Sequence, residues 1–334
     1  MSENNNCYVI DWFSASCLLD DFFDIFDILG FGLDVISSFQ DGYGHHGYAK
    51  SMHFDGIFVY FDYYSGDPRV WVEMSGSGCR TFETYTNGKS FLDLFRLAVG
   101  DEPFFSLLRV DLAYDIYDDV FLYDRLRSAR DSGCIISSFD QSEINETVKI
   151  IGGKAVPQYL GRTMYFGSHS SDIRFRLYDK KLERKRDDIN SWYRFELQFR
   201  RSASLDFVAN YVRAVDSGCS IGDIFAAFVG DRISVRERNF ADSNYRRWAV
   251  ADWWQNFVST SLSIQHIEQK DKSYNVTNAM YLVSTMYGNT FDVLLETIGV
   301  DQTLELVRNR AQQLNLKQVE AIRDYNNRFG GTNE

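Results

Sequence analysis

Arg109-Val110-Asp111-Leu112-Ala113-Tyr114-Asp115 changes chemistry at every step. Successive side chains of an extended strand point to opposite faces, so Arg109, Asp111, Ala113 and Asp115 share one face. Val110, Leu112 and Tyr114 share the other. The period recurs at 173–180, where Ile173, Phe175 and Leu177 oppose Arg174, Arg176, Tyr178 and Lys180. It recurs again at 194–200, where Phe195, Leu197 and Phe199 oppose Arg194, Glu196, Gln198 and Arg200. Antiparallel sheets with one covered face produce this pattern. The expected fold class is therefore α+β, an antiparallel-rich sheet with flanking helices.

Working outward, residues 7–13, 56–63 and 69–74 read as strands, the last two joined by Ser65-Gly66-Asp67-Pro68. Apolar residues at helical spacing predict a helix over Leu18–Ile36, and a short one from Ser90 that Gly100 ends. The glycines of Ser75-Gly76-Ser77-Gly78 suit a tight hairpin turn better than a phosphate cradle. Further helices are expected at 120–132 and 204–215, and a short strand at 135–139. Past Arg238 the strand signals thin out. Residues 248–267, 277–287, 291–298 and 303–315 all read as helices, with Trp248, Trp253, Trp254 and Phe257 as their core. The expected division is a sheet-containing domain at 1–238 and a smaller helical C-terminal domain at 239–334.

Composition fits a globular chain of 334 residues: 45% hydrophobic and 25% charged, with only 3 Pro. No apolar run approaches the roughly 18 residues of a membrane span, and Met1–Asn6 lacks the basic-then-apolar order of a signal peptide. Five scattered cysteines form no CxxC pair. A reducing cytoplasm is the expected location. The net charge of −12 is unevenly spread: residues 1–160 carry 11 Lys and Arg against 25 Asp and Glu. Residues 162–201 reverse the balance, with 11 basic and 6 acidic side chains. An acidic half thus precedes a basic stripe.

The polar face of the three strands collects arginines, isolated carboxylates and a tyrosine, where an ordinary solvated face mixes Lys, Glu, Thr and Ser. Arginine presents a planar fork suited to phosphate. Carboxylates from separate strands can converge on a hard divalent cation such as Mg²⁺ or Mn²⁺. A tyrosine hydroxyl beside cations has the makings of a nucleophile towards a phosphodiester. No Walker P-loop, HExxH, GxSxG or His-hydrophobic-His pattern offers a competing chemistry.

Three segments then occur in order: Tyr165-Phe166-Gly167-Ser168-His169-Ser170-Ser171, Arg176-Leu177-Tyr178-Asp179-Lys180-Lys181-Leu182-Glu183, and Trp192-Tyr193-Arg194-Phe195-Glu196. Together with Glu73–Arg80 and Arg109-Val110-Asp111, they resemble the motifs of the trans-acting replication initiators of rolling-circle plasmids (Rep_trans). That family extends to phage replication proteins and relaxases of conjugative elements, and the likeness covers about 70–240.

The resemblance implies an enzyme that nicks DNA at an origin of replication or transfer and rejoins strands. Tyr178 would be the nucleophile, keeping the 5′-phosphate as phosphotyrosine and leaving a free 3′-OH. It implies a divalent metal, for which Asp111 and Glu196 are the first candidate ligands and Asp115 and Glu183 the next. Arg109, Arg174, Arg176, Lys180, Lys181 and Arg194 would bind DNA phosphate. It also implies a host helicase and polymerase as partners, no membrane, for some members a homodimer, a catalytic role for 1–238, and DNA recognition or dimerisation for 239–334. Tyr165 is the second candidate nucleophile. Two rival readings share the scaffold: a DNA-binding regulator without chemistry, and a metal-dependent nuclease that forms no covalent adduct.

Overall fold

The computed structural model describes residues 6–62, 67–258 and 276–310, together with 322–323 and 325–326. The expected turn at 65–68 lies partly outside them, as do the ends of the helices expected at 248–267 and 303–315. The chain divides into two compact units, residues 1–265 and 266–334.

In chain order the first unit contains β1 (Cys7–Leu18), α1 (Asp24–Leu29), α2 (Leu33–Ile36), β2 (Gln40–Tyr43), β3 (Lys50–Phe54), β4 (Ile57–Asp62) and β5 (Asp67–Ser75). Next come α3 (Gly76–Tyr85), α4 (Phe91–Arg96), β6 (Ser106–Ile116), α5 (Leu122–Asp131), β7 (Ile135–Ser137), β8 (Ser142–Ile151) and β9 (Lys154–Phe166). It continues with β10 (Ile173–Asp179), α6 (Lys180–Arg184), β11 (Tyr193–Arg200), α7 (Ser202–Asp216), α8 (Ile221–Arg232), β12 (Ile233–Val235) and α9 (Asp252–Val258). Besides 322–323 and 325–326, the second unit is described over α10 (Val276–Arg310), kinked at Gly299, whose φ of 80° no helix accommodates.

Ten strands form one antiparallel sheet in the order β2-β3-β4-β5-β1-β6-β11-β10-β9-β8. The α+β expectation holds. One face is apolar: Phe13, Val72, Val110, Leu112, Phe175, Leu177, Phe195 and Leu197 are all buried there. Helices close over it through aromatic contacts. Phe199 stacks on Phe207 of α7 at 4.2 Å, Phe195 meets Phe225 of α8 at 5.7 Å, and Phe13 meets Phe91 of α4 at 6.0 Å. Each such ring contributes about 1.5–3 kcal/mol by leaving water. Trp254 and Phe257 of α9 also serve this first-unit core, Phe257 packing on Phe195 and Tyr114.

Two local expectations differ from the structure, and one hairpin was not expected. The helix expected over Leu18–Ile36 is two short ones, because β1 runs on to Leu18 between two partner strands and Gly30, at φ 74°, stops α1 in a left-handed cap. Ser75-Gly76-Ser77-Gly78 makes no hairpin turn; it opens α3. The hairpin of β8 and β9 carries little apolar alternation and gives no strong strand signal, since β8 is an edge strand with Glu143, Asn145 and Thr147 along it.

Gly78 shows why α3 starts where it does. A Cβ there would stand 2.0 Å from the Gly56 carbonyl oxygen, so only glycine lets α3 approach the turn between β3 and β4. Gly78→Ala should therefore destabilise the first unit by about 1–3 kcal/mol, measured as a lower urea midpoint at unchanged m-value.

Candidate active site

The polar face of β10, β11 and β6 is a set of cross-strand rows. Tyr178 pairs with Arg194, which pairs with Asp115; Arg176 pairs with Glu196; Gln198 pairs with Asp111. Directly opposed residues on one face are the closest neighbours a sheet offers. Register alone therefore brings Tyr178, Arg176, Glu196, Arg194 and Asp115 together from segments up to 79 residues apart.

Glu196 is the centre of the cluster and is wholly buried. Arg176 grips it with both arms of its fork, at 2.5 and 2.8 Å. The Tyr178 hydroxyl donates to its Oε1 at 2.6 Å. The same hydroxyl accepts from Lys180 Nζ at 3.0 Å, so the phenol lies between a carboxylate and an ammonium. Arg176 and Lys180 also stand 4.7 and 5.1 Å from the Tyr178 ring centroid. A second cluster adjoins the first. Arg194 donates twice to Asp115, at 2.7 and 2.6 Å, and once to Asp11 at 2.6 Å. Trp192 Nε1 donates to Asp115 at 2.8 Å. Further along, Arg109 grips Asp111 at 2.9 and 2.5 Å and lies 4.0 Å over the Trp12 ring.

Burial and charge set the protonation states. Burial, reinforced by the Glu196 charge, pushes the Tyr178 phenol far above its ordinary value. Burial alone would raise the Glu196 carboxyl, but Arg176 and the hydroxyl of Tyr178 outweigh it and hold Glu196 below the usual range. Burial pulls the Lys180 ammonium down, against the stabilising contact of Glu183. The resting site is a neutral phenol donating to an ionised carboxylate.

Of the other expected residues, Arg174 is buried and stacks 3.8 Å over the Tyr165 ring. Tyr165 lies one strand over, opposite Arg176. Lys181 reaches the carbonyl of Asn190 at 3.4 Å. Glu183 sits on α6, paired with Lys180 at 2.5 Å, apart from Asp111 and Asp115. Sequence reasoning missed Asp11 and Trp192. Asp11 falls at a register shift of β1 between Ile10 and Trp12, which releases it from strict alternation and lets it reach Arg194. Its signal was a lone carboxylate in the otherwise apolar Cys7–Phe13 run.

The four carboxylates expected as metal ligands do not form a centre as arranged. Asp111, Asp115, Glu196 and Glu183 each answer to a different cation. Among the described residues no three His, Cys, Asp or Glu side chains are grouped to hold an ion.

Comparison with known proteins places the chain in a class, that of replication initiation factors. The family model described as "Replication initiation factor" (Rep_trans) matches residues 106–308, and that described as "Rolling Circle replication initiation protein N-terminal domain" matches residues 7–97. The chain belongs to the Rep_trans family. A curated relative, the "Putative DNA relaxase NicK" of Bacillus subtilis (strain 168), is 26% identical over 259 residues, 70% of this chain. This chain spans 64% of that relative's length. The solved rolling circle replication initiator protein from Geobacillus stearothermophilus superposes with a TM-score of 0.66 at 28% identity, covering 76% of this chain and 96% of its own.

Two outcomes follow from the buried charges. Arg176→Met leaves the Glu196 carboxylate without its cation and should cost about 3–5 kcal/mol; adding Glu196→Gln should recover most of it in urea unfolding. Burial, against the Arg109 contacts, pushes the Asp111 carboxyl up to about 6 from 3.8. The native state then keeps a proton that the unfolded chain releases, so this group costs stability as pH rises from about 4 to 6. Asp111→Asn should remove that part of the slope of unfolding free energy against pH.

Proposed function

We propose that this chain nicks one DNA strand and rejoins it through a covalent tyrosine intermediate, with Tyr178 as the nucleophile. The observation that supports this most is the position of the Tyr178 hydroxyl, 2.6 Å from a buried carboxylate and 3.0 Å from a buried ammonium. The phenol oxygen attacks the phosphorus, the bond to the 3′ oxygen breaks, and the 5′-phosphate stays on the tyrosine. The phenol proton passes to Glu196, and the 3′ oxygen leaves as a hydroxyl after taking a proton from solvent or Lys180.

Moving the proton within the Tyr178–Glu196 bond changes the electrostatics in the useful direction. The negative charge that raises the phenol's pKa disappears, while Arg176, Arg194 and Lys180 remain facing the new phenolate and the phosphate. The free 3′-OH is what a host polymerase extends, and rejoining is the same displacement run backwards by that hydroxyl. Arg109 on β6 and Lys181 on α6 add positive charge on either side of Tyr178. Membership of the family suggests a divalent metal, but the carboxylates as arranged do not fit one, and the charge that develops on phosphate is met by this chain's own cations. No described helix is long and apolar enough to cross a membrane.

The test is incubation of the full chain with labelled single-stranded DNA pools and Mn²⁺, followed by a denaturing gel and peptide mass mapping. A DNA-linked peptide containing Tyr178 is expected. Tyr178→Phe should abolish it with little change in binding, and Glu196→Gln should slow it about 100- to 10,000-fold. Cleavage without an adduct would replace this reading with a nuclease, and binding without cleavage of the element's own origin would replace it with a regulator.

A further inference from the structure

The strand that carries Tyr178 ends against a cavity that the proposed reaction does not use. Its volume is about 370 Å³, within the range of about 300–1,000 Å³ typical of small-ligand sites. β10 and β11 alternate, so Tyr178 and Arg194 face one side and the next row, Asp179 and Tyr193, faces the other. The cavity sits where this alternation runs out. Asp179 and Tyr193 line it from one face, and Trp192, whose indole reaches Asp115 of the candidate site, lines it as well. The residue directly after the proposed nucleophile is thus part of its wall.

Its lining combines aromatic rings with side-chain amides. Tyr159, Trp192 and Tyr193 offer aromatic surface, with Leu182 beside them. Gln158 and Asn190 contribute side-chain amides, each with a donor and an acceptor, and among the described residues neither amide has a hydrogen-bond partner. Aromatic faces plus free amides read the face and the edge of a nucleobase. Two cations line it: among the described residues Lys181 bonds only the Asn190 carbonyl, at 3.4 Å, whereas Arg162 is committed. Arg162 donates to Asp124, Asp179 and the Tyr193 hydroxyl at 3.0, 3.1 and 2.6 Å, and Asp179 also caps α6 through Leu182. Arg162 lies 4.8 and 4.9 Å over the rings of Tyr123 and Tyr159, which holds those rings in place. Lys181 alone offers uncommitted positive charge there, against the roughly two negative charges of a free nucleotide's phosphate. A base still attached to a strand leaves its phosphates outside, on the Lys180 and Arg194 side.

We propose that this cavity receives one base of the single strand, turned out of its stack, from a nucleotide next to the phosphate that meets Tyr178. The proposal rests on the reading of the chain as a single-strand nicking protein. It gives that protein a means of selecting sequence beside the scissile bond: stacking supplies affinity and the amides supply discrimination. Turning the base aside also draws the strand into a bend at the nucleophile.

The test uses the full chain and single-stranded DNA pools carrying one 5-iodouracil at each position in turn. Irradiation should link DNA to peptides containing Tyr159 or Trp192, and deoxynucleoside monophosphates in hundredfold excess should not compete. Tyr159→Ala should weaken binding about tenfold, and that loss should vanish when one particular nucleotide of the strand is abasic. Gln158→Ala, an exposed position that leaves the fold alone, should change the base preferred at the same nucleotide. Crosslinks confined to other peptides, or an equal loss for Tyr159→Ala with every abasic strand, would overturn the proposal. Displacement by free nucleotides would convert the cavity into a mononucleotide site. A Tyr178 adduct with crosslinks elsewhere sinks the cavity and keeps the nicking reaction; cavity crosslinks without an adduct do the reverse.

Discussion

The carboxylate of Glu196 sits without solvent in the middle of a ten-stranded sheet, and an ion in that position is tolerated only if it is fully bonded. Arg176 satisfies it with two charge-assisted hydrogen bonds and Tyr178 with a third. Those partners come from the neighbouring strand, so the bond constrains register: a one-residue slip of β10 against β11 would turn both partners to the helix-covered face. The apolar face imposes the same register independently, because Phe175 and Leu177 would then meet the polar side. The two demands agree, and that agreement holds the phenol in one place.

The strands of the matched region 7–97 and those of the second matched region up to Arg200 share one sheet, because β1 lies between β5 and β6. Asp11 crosses that joint. It belongs to the first strand, yet it bonds Arg194 of β11 at 2.6 Å and completes the satisfaction of a guanidinium that also holds Asp115. Burial raises the Asp11 carboxyl, while Arg194 opposes the rise. The N-terminal region is thus part of the electrostatics of the site, beyond any part it plays in the scaffold. The excess of carboxylates in the first 160 residues has a partial explanation in the same terms, since Asp11, Asp111 and Asp115 neutralise arginines that the basic stripe and β6 bring onto the face.

Alternation with a period of two is a local property, and each residue of a strand displays it in the sequence. For that reason the shared face of Arg109, Asp111 and Asp115, of Arg174, Arg176 and Tyr178, and of Arg194, Glu196 and Gln198 was legible from residue order alone, as was the α+β class. The helix expected over Leu18–Ile36 failed because strand β1 gains two partners whose pull exceeds local helical spacing. Gly76 and Gly78 looked like turn glycines, and the actual reason for Gly78, the approach of α3 to Gly56, lies in a turn two strands earlier.

Which carboxylate meets which cation was decided only by the tertiary structure. Oxygen ligands on two strands and α6 read equally well as a metal centre or as ion pairs; the folded sheet put an arginine beside Asp111, Asp115 and Glu196. The bulge that frees Asp11 and the cavity beyond β10 are likewise products of long-range pairing, since their parts come from β1, β9, α6 and β11. Sequence by itself determined which side chains share the polar face and put Tyr178 among them, because side-chain direction in a strand needs no partner. The environment that makes Tyr178 a hydrogen-bonded, buried phenol needed the partners, because burial and charge pairing exist only once distant strands have met.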